Sequence, residues 1–263
     1  MFSGLFDEVA ESYDAVGVDF FQVFAAELVR RAEPPIGGHV LDLGTGRGAA
    51  LFRLAEAVGP TGSVLGIDLS PGMITRTSAD LAARDLPQAT VRLGDVDDPP
   101  TREGGWDLAV ASLVLFFLPD PAAAAARIHD VLAPNGRFAM TSFGPDDPTW
   151  SVVAEPFAKR IPQGLTRRNV GPFSSDEGVA RLLRNAGFTI SSNERLTHEV
   201  RYADVDTVVR WTRSTGTQAW WNLIPVAEHP QVEAELRAGL ATIAAPDGSL
   251  TETTSVRYTV AAA

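Results

Sequence analysis

The residues of this chain best suited to chemistry stand at the ends of short apolar runs. "VLDLGTGRG" (40–48) carries Asp42 and then glycines at 44, 46 and 48. "VLGIDLS" (64–70) holds Asp68 near its end, and "LGDVDD" (93–98) places Asp95 after a third run. Glycines at a strand-to-helix bend let a ligand lie against the backbone, and the helix that follows turns its first N–H groups toward an anion. Gly44-x-Gly46-x-x-Ala49 fits a dinucleotide fingerprint, with Asp68 about where an acidic ribose ligand belongs. Asp42 argues the other way. A carboxylate beside the bend repels a pyrophosphate unless it is paired, yet it can organise an ammonium. Asp95 can accept from an exocyclic adenine amine.

Other chemistries are poorly supplied. The chain has no cysteine, which excludes disulfides, thiolate catalysis and Cys-ligated metals. No histidine–carboxylate cluster has metal-ligand spacing, so no metal is expected, and no Gly-x-Ser-x-Gly elbow occurs. Of the four histidines, His39 opens an apolar run and His129 lies on a helix, whereas His198 and His229 fall in or near a late insertion. These last two are the candidates for a general base. A net charge of −11 repels phosphate backbones, so no nucleic-acid partner is expected. The basic stretch with Lys159, Arg160, Arg167 and Arg168 reads as a solvated loop.

The elements that must position these residues follow a strand–helix alternation. Strands are expected at "HVLDL", "SVLGIDL", "ATVRLGD" and within "WDLAVASLVL", with a turn and fifth strand at "PNGRFAMTSF". Helices are expected at 48–58, at 71–85 with Ser70 as N-cap before Pro71, and at 121–132, where Pro121 suits the first helical position. Such alternation implies a doubly wound, mostly parallel sheet with helices on both faces. Ligands of open α/β sheets sit outside the carboxyl ends of the strands.

Five regions are expected. Residues 1–36 form an N-terminal helical cover and 37–145 the α/β core. Residues 146–201 continue the core with a substrate-side loop. Residues 202–247 form a lid of two helical patterns, and 248–263 a closing strand. Within the later regions "SSDEGVARLLRNAGF" is a helix capped by Ser174 or Ser175, and "FTISSNERLTHEV" a strand. Trp211, Trp220 and Trp221 cluster in the lid. No apolar run approaches the ~20 residues of a membrane span. The N-terminus is acidic, without the basic start of a secretory signal, which points to the cytoplasm.

Residues 40–143 resemble the class I S-adenosylmethionine-dependent methyltransferases. "VLDLGTGRG", "VLGIDLSPGMI", "LGDVDDPP", "WDLAVASLVLFFLPDP" and "VLAPNGRFAM" follow the family's order and spacing. "VAESYD" is similar to its ubiquinone/menaquinone-biosynthesis type, and "VRWTRSTGTQAWWNLIP" to the lid of natural-product members. Asn135 departs from the family's usual glycine, but asparagine tolerates positive φ. The resemblance implies a seven-stranded Rossmann-like sheet and S-adenosyl-L-methionine as cofactor, with S-adenosyl-L-homocysteine as product.

The resemblance also implies roles. Gly44, Thr45, Gly46 and Gly48 cradle the methionine portion, Asp42 anchors its ammonium side and Tyr13 closes over it. Asp68 takes the ribose hydroxyls, and Leu69 and Met73 flank the adenine. Gly94, Asp95 and Val96 hold the adenine edge, and Ser112 and Leu113 lie near the methyl-bearing end. Phe116, Phe117, Trp150, Phe173, Trp211, Trp220 and Trp221 wall a pocket for a small, largely apolar acceptor. The expected protein is a monomer or homodimer with no membrane partner, methylating oxygen, nitrogen or carbon. A non-methylating enzyme of the same fold and cofactor, an NAD(P)-dependent dehydrogenase and a non-enzymatic cofactor-bound module are the alternatives.

Overall fold

The computed structural model describes residues 3–13, 15–162 and 170–263. Two helices lead, α1 (Ser3–Val9) and α2 (Phe20–Ala32). The alternating part runs β1 (His39–Leu43), α3 (Leu51–Val58), β2 (Ser63–Asp68), α4 (Pro71–Arg84), β3 (Ala89–Leu93), β4 (Trp106–Ser112), α5 (Pro121–Asp130) and β5 (Leu132–Phe143). Then come α6 (Ser151–Ala158), α7 (Asp176–Asn185), β6 (Thr189–Tyr202), α8 (Val205–Ser214), α9 (Gln218–Asn222), α10 (His229–Ala241) and β7 (Leu250–Ala262).

The seven strands form one sheet in the order β3-β2-β1-β4-β5-β7-β6. Strands β1 to β5 are mutually parallel, and β7 runs antiparallel to both of its neighbours. The expected doubly wound sheet is present. Strands β1 and β4 are fully buried along most of their length, which is why they read as continuous apolar runs. One core cluster holds α2 and α3 with Val40, Leu108 and the even-numbered face of β7. The other holds α5 and α7 against Leu41, Leu43, Ala109 and Phe138.

Local chemistry sets the element ends. Ser70 caps α4, its Oγ accepting the N–H of Met73 at 3.1 Å. Ser175, not Ser174, caps α7, accepting from Gly178 at 3.0 Å. Asn135 takes φ +66° and lets the "PNG" turn bulge into the start of β5. Two boundaries, the start of α3 and the first helix of the late insertion, differ from the sequence reading. Helix α3 begins at Leu51 rather than 48, because Gly48 (φ +80°) still belongs to the bend. Strand β4 stops at Ser112. Leu113, expected at the end of this strand, turns at φ +59°, and Leu115–Phe117 form a 3₁₀ turn. The first helical pattern of the late insertion breaks after Ser214 into α8 and α9, so the insertion holds three α-helices.

The outer strands reach past the rest of the sheet. Pairing of β5 with β7 ends at Phe143↔Val256, while β6 and β7 stay paired as far as Tyr202↔Leu250. Residues 197–202 and 250–255 therefore form a two-stranded ribbon beyond the carboxyl end of β5. At about 3.3 Å per residue it projects roughly 20 Å.

Candidate functional site

Because β1 to β4 are parallel, Gly44, Leu69, Gly94 and Leu113 all leave their strands at the same edge of the sheet. Strand β1 lies between β2 and β4, which makes the crevice between the β1 and β4 loops the topological switch point. The sequence-predicted residues 42–48, 68–73, 94–96 and 112–113 converge there from four separate segments.

The bend after β1 is held from below and from the side. Asp42 is 1% exposed, and its Oδ2 accepts the Thr45 hydroxyl at 2.7 Å. Burial pushes the Asp42 carboxyl up to about 7; the Thr45 bond opposes that shift and the nearby Asp68 charge adds to it. Asp68 accepts the backbone N–H of Gly46 on Oδ2 and that of Ser70 on Oδ1, both at 2.9 Å. Its carboxyl is also raised by burial, against the pull of these backbone bonds.

The glycines differ in what surrounds them. A Cβ at Gly44 would strike Val114, and one at Gly48 would strike Phe52. At Gly46, with φ +50°, a Cβ would meet nothing within 4 Å, so this residue faces open space at the centre of the bend. The first turn of α3 has no side-chain cap; its Phe52 N–H is bonded to the Gly48 carbonyl at 3.2 Å. Leu69 is 45% exposed beside it. Asp95 accepts the N–H of Asp97, and Val96 is buried. Met73 packs with Val9 at the end of α1 and with Ala10 just after it, and is 1% exposed. A cradle with room at Gly46, a helix start without a side-chain cap and a carboxylate at the end of β2 suits an amino-acid-bearing nucleoside.

The β4 end is bound to its neighbour. Leu113 donates its N–H to Thr141 Oγ1 at 2.9 Å, which fixes the left-handed turn next to the crevice. Beyond it an aromatic row begins. Tyr13 stacks on Phe21 at 4.8 Å and meets Phe6 at 6.2 Å. Phe6 meets Phe117 at 5.4 Å, Phe117 meets Phe116 at 4.5 Å, and Phe116 meets Phe143 at 5.5 Å and Phe173 at 6.1 Å. The row continues through Phe20 and Trp211 to Tyr202, which lies 5.0 Å from Trp150. The sequence reading missed Phe20, Phe143 and Tyr202 as members of this wall.

A family model described as a methyltransferase domain matches residues 40–136, the stretch that builds this crevice. The chain is 36% identical to nocamycin O-methyltransferase of Saccharothrix syringae, over 97% of this chain and 95% of that protein. The chain belongs to the class I S-adenosylmethionine-dependent methyltransferases. It is also 39% identical to aklanonic acid methyltransferase DauC of a Streptomyces species over 61% of this chain and 73% of that one. The YcgJ protein of Bacillus subtilis, 15% identical, shares the fold with a TM-score of 0.61 over 91% of this chain and 97% of its own.

In this methyltransferase several predicted residues stand apart from the crevice. Trp220 and Trp221 pack on Phe157 of α6. Trp221 is wholly buried, bonds Thr212 through Nε1 and carries Arg213 over its ring at 3.6 Å. It is core of the insertion rather than pocket wall. His229 is no better placed as a base. Its Nε2 lies 3.1 and 3.2 Å from the carbonyls of Trp221 and Ile224, so that nitrogen is a donor. The ring faces a cleft lined by insertion residues alone, among them Arg213, Glu233 and Arg237. His198 sits on β6, between Phe24 and the hydroxyl of Tyr258, which lies 2.8 Å from its Nε2. Burial lowers its pKa, keeping the ring neutral, with the Glu27 charge opposing. Strand β6 is three strand spacings from β4, roughly 14 Å at about 4.8 Å each. Neither histidine is brought to the crevice.

Arg160 of the basic stretch is paired with Glu235 and Glu228, while Arg167 and Arg168 lie outside the described residues. Among the described residues no group of three or more His, Asp or Glu could hold a metal ion, and no helix is long and apolar enough to cross a membrane.

Proposed function

We propose that this enzyme methylates an oxygen of a small, flat, largely apolar molecule in the tailoring of a natural product. The observation that carries the reading is the aromatic row that starts at Phe6 and Phe117 beside the β4 loop and runs across β5 toward β7. Aromatic side chains offer large apolar faces with few polar atoms, as pockets for apolar ligands do. A relative that matches over nearly its whole length is named as an O-methyltransferase, which favours oxygen over nitrogen or carbon and transfer over a non-methylating reaction. The acceptor is a small molecule met in the cytoplasm. The acidic surface disfavours nucleic acid.

In this reading S-adenosylmethionine, when bound, supplies an already activated methyl on a sulfonium. Gly44, Thr45, Gly46 and Gly48 hold its methionine portion, with Asp42 on the ammonium side and Tyr13 above. Asp68 takes the ribose hydroxyls, Leu69 and Met73 the adenine faces, and Gly94, Asp95 and Val96 the adenine edge. Ser112 and Leu113 border the methyl-bearing end. The protein's own task is to orient the acceptor oxygen in line with the methyl and to exclude water. Positioning of this kind contributes up to about 7–11 kcal/mol. The N-terminal helices and α8–α10 act as cover and lid over that alignment. An acidic phenol or enol acceptor loses its proton without help, which fits a crevice that holds no histidine.

Calorimetry with S-adenosylhomocysteine tests the reading, with a Kd in the micromolar range expected (about −8 kcal/mol). Transfer of a labelled methyl to a panel of phenols and enols then identifies the acceptor class. Absence of binding by both the cofactor and its product, or a fluorescence response to NADH, overturns the reading.

A further inference from the structure

Strand β6 is an outermost strand of the sheet and runs for 14 residues. Edge strands present unpaired backbone groups, and proteins blunt them by keeping them short or by adding lysine, proline or a bulge. Strand β6 has one bulge, near its start between Ile190 and Ser192. From residue 192 onward it pairs regularly with β7, and residues 192–201 include neither lysine nor proline. Among the described residues none bonds the outer backbone groups of residues 192–201. Leu196, His198 and Val200 turn to the face where α2 packs, and His198 meets Phe24 there. Arg195, Thr197, Glu199 and Arg201 are exposed on the other face. Arg195 holds Asp176 through Nε at 3.1 Å and is 45% exposed, which leaves its Nη donors for a further partner. Glu199 makes no ion pair among the described residues.

We propose that β6 is a dimerisation edge, pairing antiparallel with β6 of a second copy of this chain about a twofold axis at Thr197. The two sheets then become one. An axis normal to the sheet keeps each face continuous, so odd-numbered residues stand opposite odd-numbered ones. Charge selects among the registers this allows, because directly opposed like charges destabilise a pair and opposite charges stabilise it. Centring on Arg195 or on Glu199 puts like charges together on the axis. Centring on His198 sets Arg195 against the partner's Arg201. Centring on Leu196 leaves Arg195 against the partner's Thr197. Centring on Thr197 sets Arg195 against the partner's Glu199, twice by symmetry, and Thr197 against its own copy, a favourable cross-strand pair. The paired stretch, residues 192–202, supplies about ten backbone hydrogen bonds, as many as a typical interface carries. It also supports the projecting ribbon. Residues 197–202 of each copy lie along residues 192–197 of the other, so a two-stranded ribbon, marginal by itself in water, gains a third strand.

The test uses the full chain in sedimentation equilibrium, where a dimer with a Kd below about 10 μM is expected. Glu199→Arg sets two arginines against each other at both symmetric positions and should weaken that dimer at least about tenfold. Glu199 is exposed and unpaired within its own chain, so the far-ultraviolet circular dichroism of the variant should match the wild type. Cross-linking reads the register directly, because the chain has no cysteine of its own. In Thr197→Cys the two Cα atoms stand about 4.5–5.5 Å apart, within reach of a disulfide. Mild oxidation is expected to convert most of this variant to a covalent dimer. In Glu199→Cys the two thiols are displaced by four residues, roughly 13 Å along the strands, and should stay free. A wild-type chain that is monomeric at about 100 μM overturns the proposal. So does a dimer that Glu199→Arg leaves intact, or equal cross-linking of the two cysteine variants.

Discussion

Asp68 and Gly46 are joined by a hydrogen bond of 2.9 Å, from the backbone N–H at the centre of the glycine bend to a carboxylate at the end of β2. The same carboxylate accepts from Ser70 at the start of α4, so one side chain links the bend, the strand end and the next helix. Each oxygen keeps a further lone pair for a ligand hydroxyl. Removing the carboxylate therefore loosens the bend and deletes the acceptor together. Asp68→Ala is expected to weaken S-adenosylhomocysteine binding by about tenfold or more, ~1.4 kcal/mol at the least. Asp68→Asn keeps an acceptor oxygen and should recover part of the loss. Calorimetry decides it, and unchanged affinity in the alanine variant removes Asp68 from the site.

Asp42 gives the free enzyme a characteristic response to pH. Its carboxyl is raised to about 7, above its ordinary 3.8, chiefly by burial. The folded chain therefore binds a proton there that the unfolded chain releases, and stability from this group falls as pH rises through about 7. Asp42→Asn removes the titration. The variant is expected to melt above the wild type at pH 8 and close to it below about pH 4. A ligand ammonium favours the charged carboxylate, so wild-type affinity for S-adenosylhomocysteine should rise between pH 6 and 7.5, with a flatter profile in Asp42→Asn. Parallel melting and binding profiles for the two proteins count against both statements.

The convergence of the segments proposed to hold the cofactor was legible in the sequence because their residues follow strand ends, and a strand end is a local feature. Asp42, Gly46, Asp68, Asp95 and Leu113 each close an apolar run, and parallel pairing brings those ends to one edge. The β6–β7 side of the sheet was not legible in the same way. Its composition is set by the register of β6 on β7, where His198 faces Thr254 and Tyr202 faces Leu250. Nothing near His198 in the chain shows that its ring is held by Tyr258 on another strand. The tryptophans look equivalent as letters, yet Trp211 meets Phe20 while Trp221 is sealed against Phe157 and Arg213. The one local signal on that side is the alternation in "TETTSVRY", which puts Glu252, Thr254, Val256 and Tyr258 on one face.

Arg257 points to the opposite face of β7 and is 1% exposed. Its guanidinium bonds Asp176 at 2.7 Å, Ser142 Oγ at 3.0 Å and the Phe173 carbonyl at 3.1 Å. One buried cation thus fixes the start of α7 and the end of β5 relative to β7, and with them Phe143 and Phe173. Arg257→Ala leaves buried acceptors without a donor and is expected to destabilise the fold by about 3 kcal/mol. Arg257→Lys keeps the charge but not the planar fork, so it should recover only part of this. Urea unfolding measures both, and a loss under about 1 kcal/mol in the alanine variant shows that the network contributes little.

Helix α1 connects the start of α4 to the late insertion through two adjacent carboxylates. Asp7 accepts the Gly72 N–H at 2.7 Å and the Ser70 hydroxyl at 3.1 Å, both at the start of α4. Glu8 accepts from Asn222 at 2.9 Å and Gln218 at 3.3 Å, both on α9. The helix also buries Met73 and carries Phe6 against Phe117, so it covers the crevice on two sides. The Glu8 bonds are exposed, and together they are worth about 1 kcal/mol. Losing them should leave global stability nearly unchanged while letting α1 lift from α9 more often. Glu8→Ala is therefore expected to raise the dissociation rate of S-adenosylhomocysteine by about fivefold, the factor that ~1 kcal/mol supplies. The chosen measurement is stopped-flow displacement by excess ligand. A rate equal to that of the wild type means the cofactor leaves by a path that α1 does not cover.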